Sequence, residues 1–182
     1  ETGLVGGDAI RQAIIYDADA VTPTGDFAVL DDAAFTDPLN TGGERNRPAV
    51  TQAFTDNRTG ETFVVSVNHL KSKGSLTGAT EDEDQGDGAG NNNETRKLAA
   101  EALAAWLATD PTGAGSERVV ILGDMNSYEK EDPIDEILAG ADGVLGTEDD
   151  YVNLVDALDP DAYSYLFDGQ IGTLDYIFGP QK

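Results

Sequence analysis

A chain of 182 residues with 39% hydrophobic content can bury one substantial core and leaves little for a second. Acids outnumber bases 35 to 11, and the resulting net charge of -24 excludes a generally basic nucleic-acid-binding surface while suiting a salt-rich setting or bound cations. The absence of cysteine excludes disulfides and thiolate metal sites, and no stretch approaches the roughly 20 apolar residues of a membrane span.

In chain order, Glu1-Thr2-Gly3-Leu4 carries no charged-then-apolar leader, and the lack of an initial Met leads to the expectation of a mature or partial chain. Ala9 to Tyr16, rich in β-branched and aromatic residues, reads as a strand, with Pro23 and Gly25 after it as turn signals. Residues 31–47 are polar. Ala49 to Phe54 then alternates in the period of a half-buried strand, Asn57 to Gly60 makes a turn, and Thr62 to Asn68 is apolar on both faces, which predicts a central strand covered on both sides. The two strands pair antiparallel.

Residues 74–93 hold five acids between Glu81 and Asp87, many glycines and three consecutive Asn, and read as a long acidic surface loop. From Glu94 an amphipathic helix begins, with Ala99, Leu103, Trp106 and Leu107 on one face, Asn93 as its cap and Asp110-Pro111 as its stop. Arg118 to Leu122 reads as a short buried strand, Ile134 to Leu138 as a short helix, residues 141–150 as a second acidic loop, and Tyr163 to Phe167 and Thr173 to Phe178 as strands. The class is mixed α/β with a layered sheet core.

Three places carry chemistry. Val119-Val120-Ile121-Leu122 runs into Gly123-Asp124-Met125-Asn126, so a strand end presents a carboxylate able to bind a hard cation or hold a water, and an amide able to position a phosphate. An ordinary Asx turn has the same spacing. Val67-Asn68-His69-Leu70-Lys71 places the one histidine of the chain at a second strand end with bases after it, an anion site or surface filler around a structural His. In Gly172-Thr173-Leu174-Asp175-Tyr176 an acid interrupts a strand suited to burial and requires a cation or an imidazole as partner. Asp142, Asp149 and Asp150 have Asp/Gly spacing suited either to a Ca²⁺ turn or to a solvated acidic loop, and the order is not that of an EF-hand.

Together, G-D-M-N, V-N-H-L-K-S-K-G and T-L-D-Y-I-F in this order resemble the endonuclease/exonuclease/phosphatase superfamily, the group of deoxyribonuclease I, abasic-site endonucleases, sphingomyelinases and inositol-phosphate phosphatases. The wider wording, with R-P-A-V-T-Q-A-F and Y-S-Y-L-F-D-G-Q-I-G, is most similar to its secreted bacterial nucleases. The resemblance implies a layered β-sandwich flanked by helices, and a metal-dependent phosphodiester hydrolase cleaving DNA or RNA outside the cell. It implies catalytic roles for His69, Asp124, Asn126 and Asp175, with Asp175 orienting an imidazole, and phosphate contacts from Arg47, Asn68 and Lys71. Asp124 and Asn126 are the implied metal ligands, for Mg²⁺ with Mn²⁺ or Ca²⁺ as substitutes. Hydrolysis of lipid or small phosphate esters, or a non-catalytic calcium-binding module, are the alternatives. An L-Q-E-like strand and a closing S-D-H-like segment, both implied by the resemblance, do not occur in the sequence. The expectation is therefore a single partial domain over 1–182, its C-terminal part, with little activity alone and a tendency to self-associate.

Overall fold

The computed structural model describes residues 3–167 and 169–181. β1 (Val21–Leu30) pairs antiparallel with β2 (Arg47–Asp56), after a single helical turn, α1 (Ala33–Thr36), and β2 pairs antiparallel with β3 (Thr62–His69). The β2–β3 turn closes on Asp56, whose Oδ1 accepts the N–H groups of Arg58 and Thr59 at 2.7 and 2.9 Å.

The strand expected at Ala9 to Tyr16 does not join the sheet. Pro23 and Gly25, expected as turn signals, lie inside β1 instead. This is an edge strand bonded on one side only, and its register shifts between Thr24 and Ala28, so it accommodates both residues. The apolar residues 13–16 line a shallow groove with Phe54, Phe63, Val65, Val67 and Leu122, where the Tyr16 and Phe54 rings stand 5.2 Å apart. Tyr16 sets its ring against Phe54 while Ile10 and Ile15 stay exposed, so the segment touches the sheet face without pairing or being buried.

A crossover through α2 (Asn93–Leu107) leads to β4 (Val119–Asp124), parallel to β3. α2 buries Ala99, Ala100, Leu103 and Leu107, as its spacing predicts, and also Arg96 on the same stripe. Asn92, in the left-handed conformation at φ +62, precedes the helix, and neither Asn92 nor Asn93 caps it through its side chain. The cap comes from a distance: Asp82 Oδ1 accepts the Thr95 N–H at 2.9 Å, and Oδ2 accepts the hydroxyls of Thr95 and Thr77 at 2.6 and 2.5 Å. Asp82 is buried, and Asn92 donates to the carbonyls of Ser72 and Ser75. The acidic stretch 74–93 is thus pinned by buried polar bonds rather than being a purely solvated loop.

After α3 (Asp132–Leu138) come β5 (Tyr151–Asn153), α4 (Leu154–Leu158), a hairpin of β6 (Tyr165–Phe167) and β7 (Gln170–Gly172), and β8 (Asp175–Pro180). The strand expected at Tyr163 to Phe167 is therefore half of a separate hairpin, and β5 and α4 are too short to have left a periodic signal. The main sheet runs β1-β2-β3-β4-β8-β5. Ser66, Ile121 and Phe178 are register partners and share one face with the hydrophobic core of Leu70, Leu103, Met125, Ile134 and Ile137. The opposite face carries Val65, Val67 and Leu122, only half-buried, so β3 is covered on one side fully and on the other in part. The mixed α/β class with a sheet flanked by helices is as expected. The described residues make one six-stranded layer rather than two stacked sheets. No described helix is long and apolar enough to cross a membrane.

Candidate active site

Four strands end or begin at one rim of the sheet. β2 begins at Arg47, β3 ends at His69, β4 ends at Asp124 and β8 begins at Asp175. The register makes them consecutive partners, Arg47 with His69, His69 with Asp124 and Asp124 with Asp175, so the four form a row across neighbouring strands. Pleat alternation assigns His69 and Asp124 to the face of Val67 and Leu122, opposite the helices. His69 Nε2 is 3.4 Å from Asp124 Oδ2.

Backbone geometry holds the row tightly. Gly123 has φ +132, and a Cβ there would lie 2.0 Å from the Asn68 carbonyl oxygen, so only glycine lets β4 approach β3 this closely. Asp124 Oδ1 accepts the Asn126 N–H at 2.8 Å, the Asx bond the sequence allowed. Asn126, at φ +49, donates its side-chain amide to the Leu70 carbonyl at 3.0 Å, and the Leu70 N–H bonds the Asp124 carbonyl at 3.0 Å. The loops after β3 and β4 are thereby one unit. The Met125 N–H adds β8 through the Leu174 carbonyl.

Burial pushes the His69 pKa down, and the positive charge of Arg47 does the same, against the pull of Asp124, Asp175 and Asp8. The imidazole is therefore neutral near pH 7. Burial holds the Asp124 carboxyl above its usual range and Asp175 adds to this, against the Asn126 N–H, His69 and Arg47. A half-buried carboxylate of raised basicity beside a neutral imidazole can take a proton from a water and offer a hydrogen bond to an anion.

Of the other expected residues, Arg47 is in the row, but its guanidinium bonds Asp8 at 2.9 Å, and its Nε is buried without a partner. Asp8 had no local sequence signal, because its partner lies beyond β1 and α1, at the start of β2. Lys71 lies close enough to Arg45, Arg47 and Arg96 for their charges, after burial, to lower its pKa, and its ammonium donates to the Ser72 carbonyl. Asn68 is not brought to the row. It directly precedes His69 and so faces the helix side, fully buried, donating to the Ser66 carbonyl and hydroxyl.

Beneath the loops lies a cluster that sequence reading missed. Arg96 donates to the Ser127 hydroxyl at 2.9 Å and to the carbonyls of Lys71 and Asn91, and pairs with Glu131 at 3.5 Å. Lys73 bonds the other Glu131 oxygen and stands over the Tyr128 ring. Arg96 thus ties the segment after His69 to the segment after Asn126. Its place on the i, i+3/i+4 stripe of α2, an Arg among Ala and Leu, was the available signal.

As to a metal, Asp124, Asp175 and the Asn126 amide are hard oxygen donors at the rim, yet among the described residues no three His, Asp or Glu side chains gather as a complete ligand set. That donor set suits Mg²⁺, which is held by one or two carboxylates with water and phosphate oxygens, better than Ca²⁺ with its larger protein cage. Asp142, Asp149 and Asp150 face into their own loop: Asp149 accepts the N–H groups of Ala141 and Asp142, Asp150 those of Gly146 and Thr147, and Asp142 that of Val144. They close the turn and do not converge as a cation cage.

No family model and no curated protein matches the sequence. Solved structures do. The human Nocturnin catalytic domain with bound sulfate matches at TM-score 0.58 and 18% identity, over 90% of this chain and 50% of that one. An endonuclease/exonuclease/phosphatase family protein from Bacteroides thetaiotaomicron matches at TM-score 0.54 and 14% identity, over 91% and 54%. The fold is that of the endonuclease/exonuclease/phosphatase proteins. D. rerio TDP2 complexed with a single-strand DNA product shares it at TM-score 0.50 and 15% identity, over 89% and 54%. The chain spans about half the length of these solved structures.

Proposed function

We propose that the chain carries the phosphate-handling rim of a divalent-metal-dependent phosphodiester hydrolase that acts on nucleic acid outside the cell. The observation that supports it is the row Arg47–His69–Asp124–Asp175, a cation, a neutral imidazole and two carboxylates on adjacent strand ends of a fold shared with this superfamily. The secreted setting rests on the sequence resemblance.

Asp124 accepts a proton from the attacking water as the water oxygen bonds to phosphorus, in line with the breaking P–O bond, whose electron pair leaves with the departing oxygen. The Asn126 amide oxygen orients that water, and neutral His69 donates a hydrogen bond to a non-bridging phosphate oxygen. Arg47 exchanges Asp8 for the phosphate, which its guanidinium fork can hold bidentately, and Lys71 adds charge beside it. Asp175 is the second carboxylate of the rim; the chain's one imidazole is that of His69, two strands away. Asp124, Asp175 and Asn126 would hold a divalent ion, Mg²⁺ or Mn²⁺ or Ca²⁺ in its place, which would supply polarisation of the phosphoryl oxygen.

The test is release of acid-soluble nucleotide from DNA and RNA by the purified chain with and without Mg²⁺, beside sphingomyelin and an inositol phosphate. Because a partial domain is expected to have little activity alone, slow metal-dependent release from a nucleic acid, lost in Asp124→Asn, is expected. Turnover confined to the small esters, or no turnover of any substrate, would sink the nuclease reading.

A further inference from the structure

The β6–β7 hairpin exposes an unusual amount of apolar surface. Tyr165 is 43% exposed, Leu166 63%, Phe167 64% and Ile171 62%. Single exposed apolar side chains are ordinary, but several on one hairpin mark a binding surface. Tyr165 and Phe167, two residues apart on one strand face, hold their rings 12° from parallel with centroids 6.3 Å apart.

This hairpin is fastened to the rim. The Ser164 hydroxyl oxygen accepts the N–H groups of Leu174 and Asp175 at 3.0 and 3.1 Å, and the Ser164 N–H bonds the Gly172 carbonyl at 3.1 Å. Gly172 sits so close over the Tyr128 ring that a Cβ would lie 2.6 Å from it. The paired rings are therefore positioned relative to Asp175, the last member of the row.

Charge narrows the ligand. With -24 net charge, the surface offers a polyanion little attraction beyond Arg47 and Lys71 at the rim, and salt that screens the repulsion weakens those phosphate contacts as well. Flat uncharged rings hold unpaired bases by stacking, which needs no phosphate contact. In a duplex the base faces are already stacked on one another, so the ligand is single-stranded.

We propose that Tyr165 and Phe167 form a stacking platform for unpaired nucleobases next to the scissile phosphate, which makes single-stranded nucleic acid the substrate class. The inference rests on the hydrolase reading for its position and on the rings for its chemistry.

The test is binding, in EDTA, of a labelled single-stranded oligothymidylate and of the same sugar–phosphate strand without bases, at low and at molar NaCl. The wild-type chain should bind the base-bearing strand about tenfold or more tightly than the abasic one, and keep that preference in molar salt. Tyr165→Ala with Phe167→Ala should abolish the preference with the melting temperature unchanged, whereas Tyr165→Phe should retain it. Equal binding of both strands, a preference that survives loss of both rings, or no binding overturns the platform. So does a dimer that dissociates in the double variant, because the rings would then serve a contact between copies. Cleavage of the two strands with Mg²⁺ separates the two readings. Equal cleavage of both strands by wild type and double variant leaves the hydrolase standing without the platform, and base-dependent binding without any cleavage does the reverse.

Discussion

Asp124 Oδ2 lies 3.4 Å from His69 Nε2, and the two residues are the closing register pair of the parallel strands β3 and β4. Neither side chain could move by one residue along its strand without turning to the opposite face. The pair is therefore fixed by the sheet and not by a flexible loop. Asp124→Asn should lower turnover about a hundredfold or more, by removing the base while keeping the shape, and His69→Gln should do so by a similar factor. Both variants should melt close to the wild type, as judged by circular dichroism. Undiminished turnover in either would contradict the roles given to them.

Gly123→Ala tests the close approach of those two strands. The added Cβ would collide with the Asn68 carbonyl oxygen, a backbone atom that cannot rotate away, at a φ that L side chains rarely adopt. The substitution should cost about 3 kcal/mol or more in urea unfolding. It should also weaken activity beyond the loss in folded fraction, because the Asp124–His69 spacing would open. A change below about 0.5 kcal/mol would mean the strands are not this close in solution.

The buried Arg96–Glu131 pair makes a different demand. Arg96→Met leaves Glu131 buried with Lys73 as its remaining cation, and frees the carbonyls of Lys71 and Asn91. A loss of about 3 to 5 kcal/mol is expected, of the size seen when one partner of a buried ion pair is removed. Adding Glu131→Gln should return part of it. Strict additivity of the two substitutions would show that the pair does not interact.

Much of the rim was legible because its members stand where an apolar strand gives way to polar residues, as at His69 and Asp124, and that boundary is local. Asn68 was misassigned although the information was present: the residue before His69 in a strand must face the other way. The register that aligns Arg47, His69, Asp124 and Asp175 is non-local and leaves no spacing to read. Asp8 and Asp82 act across long stretches of chain, one on Arg47 and one as the cap of α2, and so resemble any surface acid in sequence. Residues 9–16 have strand-like composition, yet they stay largely exposed and unpaired, because β-propensity decides little without a partner strand to pair with.

Acid stability tests one further carboxylate. Asp37 accepts the N–H and hydroxyl of Thr41 and the N–H groups of Gly42 and Gly43, organising the turn that leads to Arg47. Burial by itself would raise the Asp37 pKa; these hydrogen bonds outweigh it and bring the carboxyl from 3.8 to about 2. A folded pKa below the unfolded one means that ionised Asp37 stabilises the native state. That contribution is complete above about pH 4 and disappears as pH falls from there toward 2. Because the group is partly solvent-exposed, screening limits the effect, and Asp37→Ala should cost about 1 kcal/mol at pH 7. The difference in melting temperature between wild type and Asp37→Ala should be constant from pH 7 to about 5 and shrink below 4. A difference that persists unchanged at the acid end would assign the loss to packing of the turn instead of to the carboxylate.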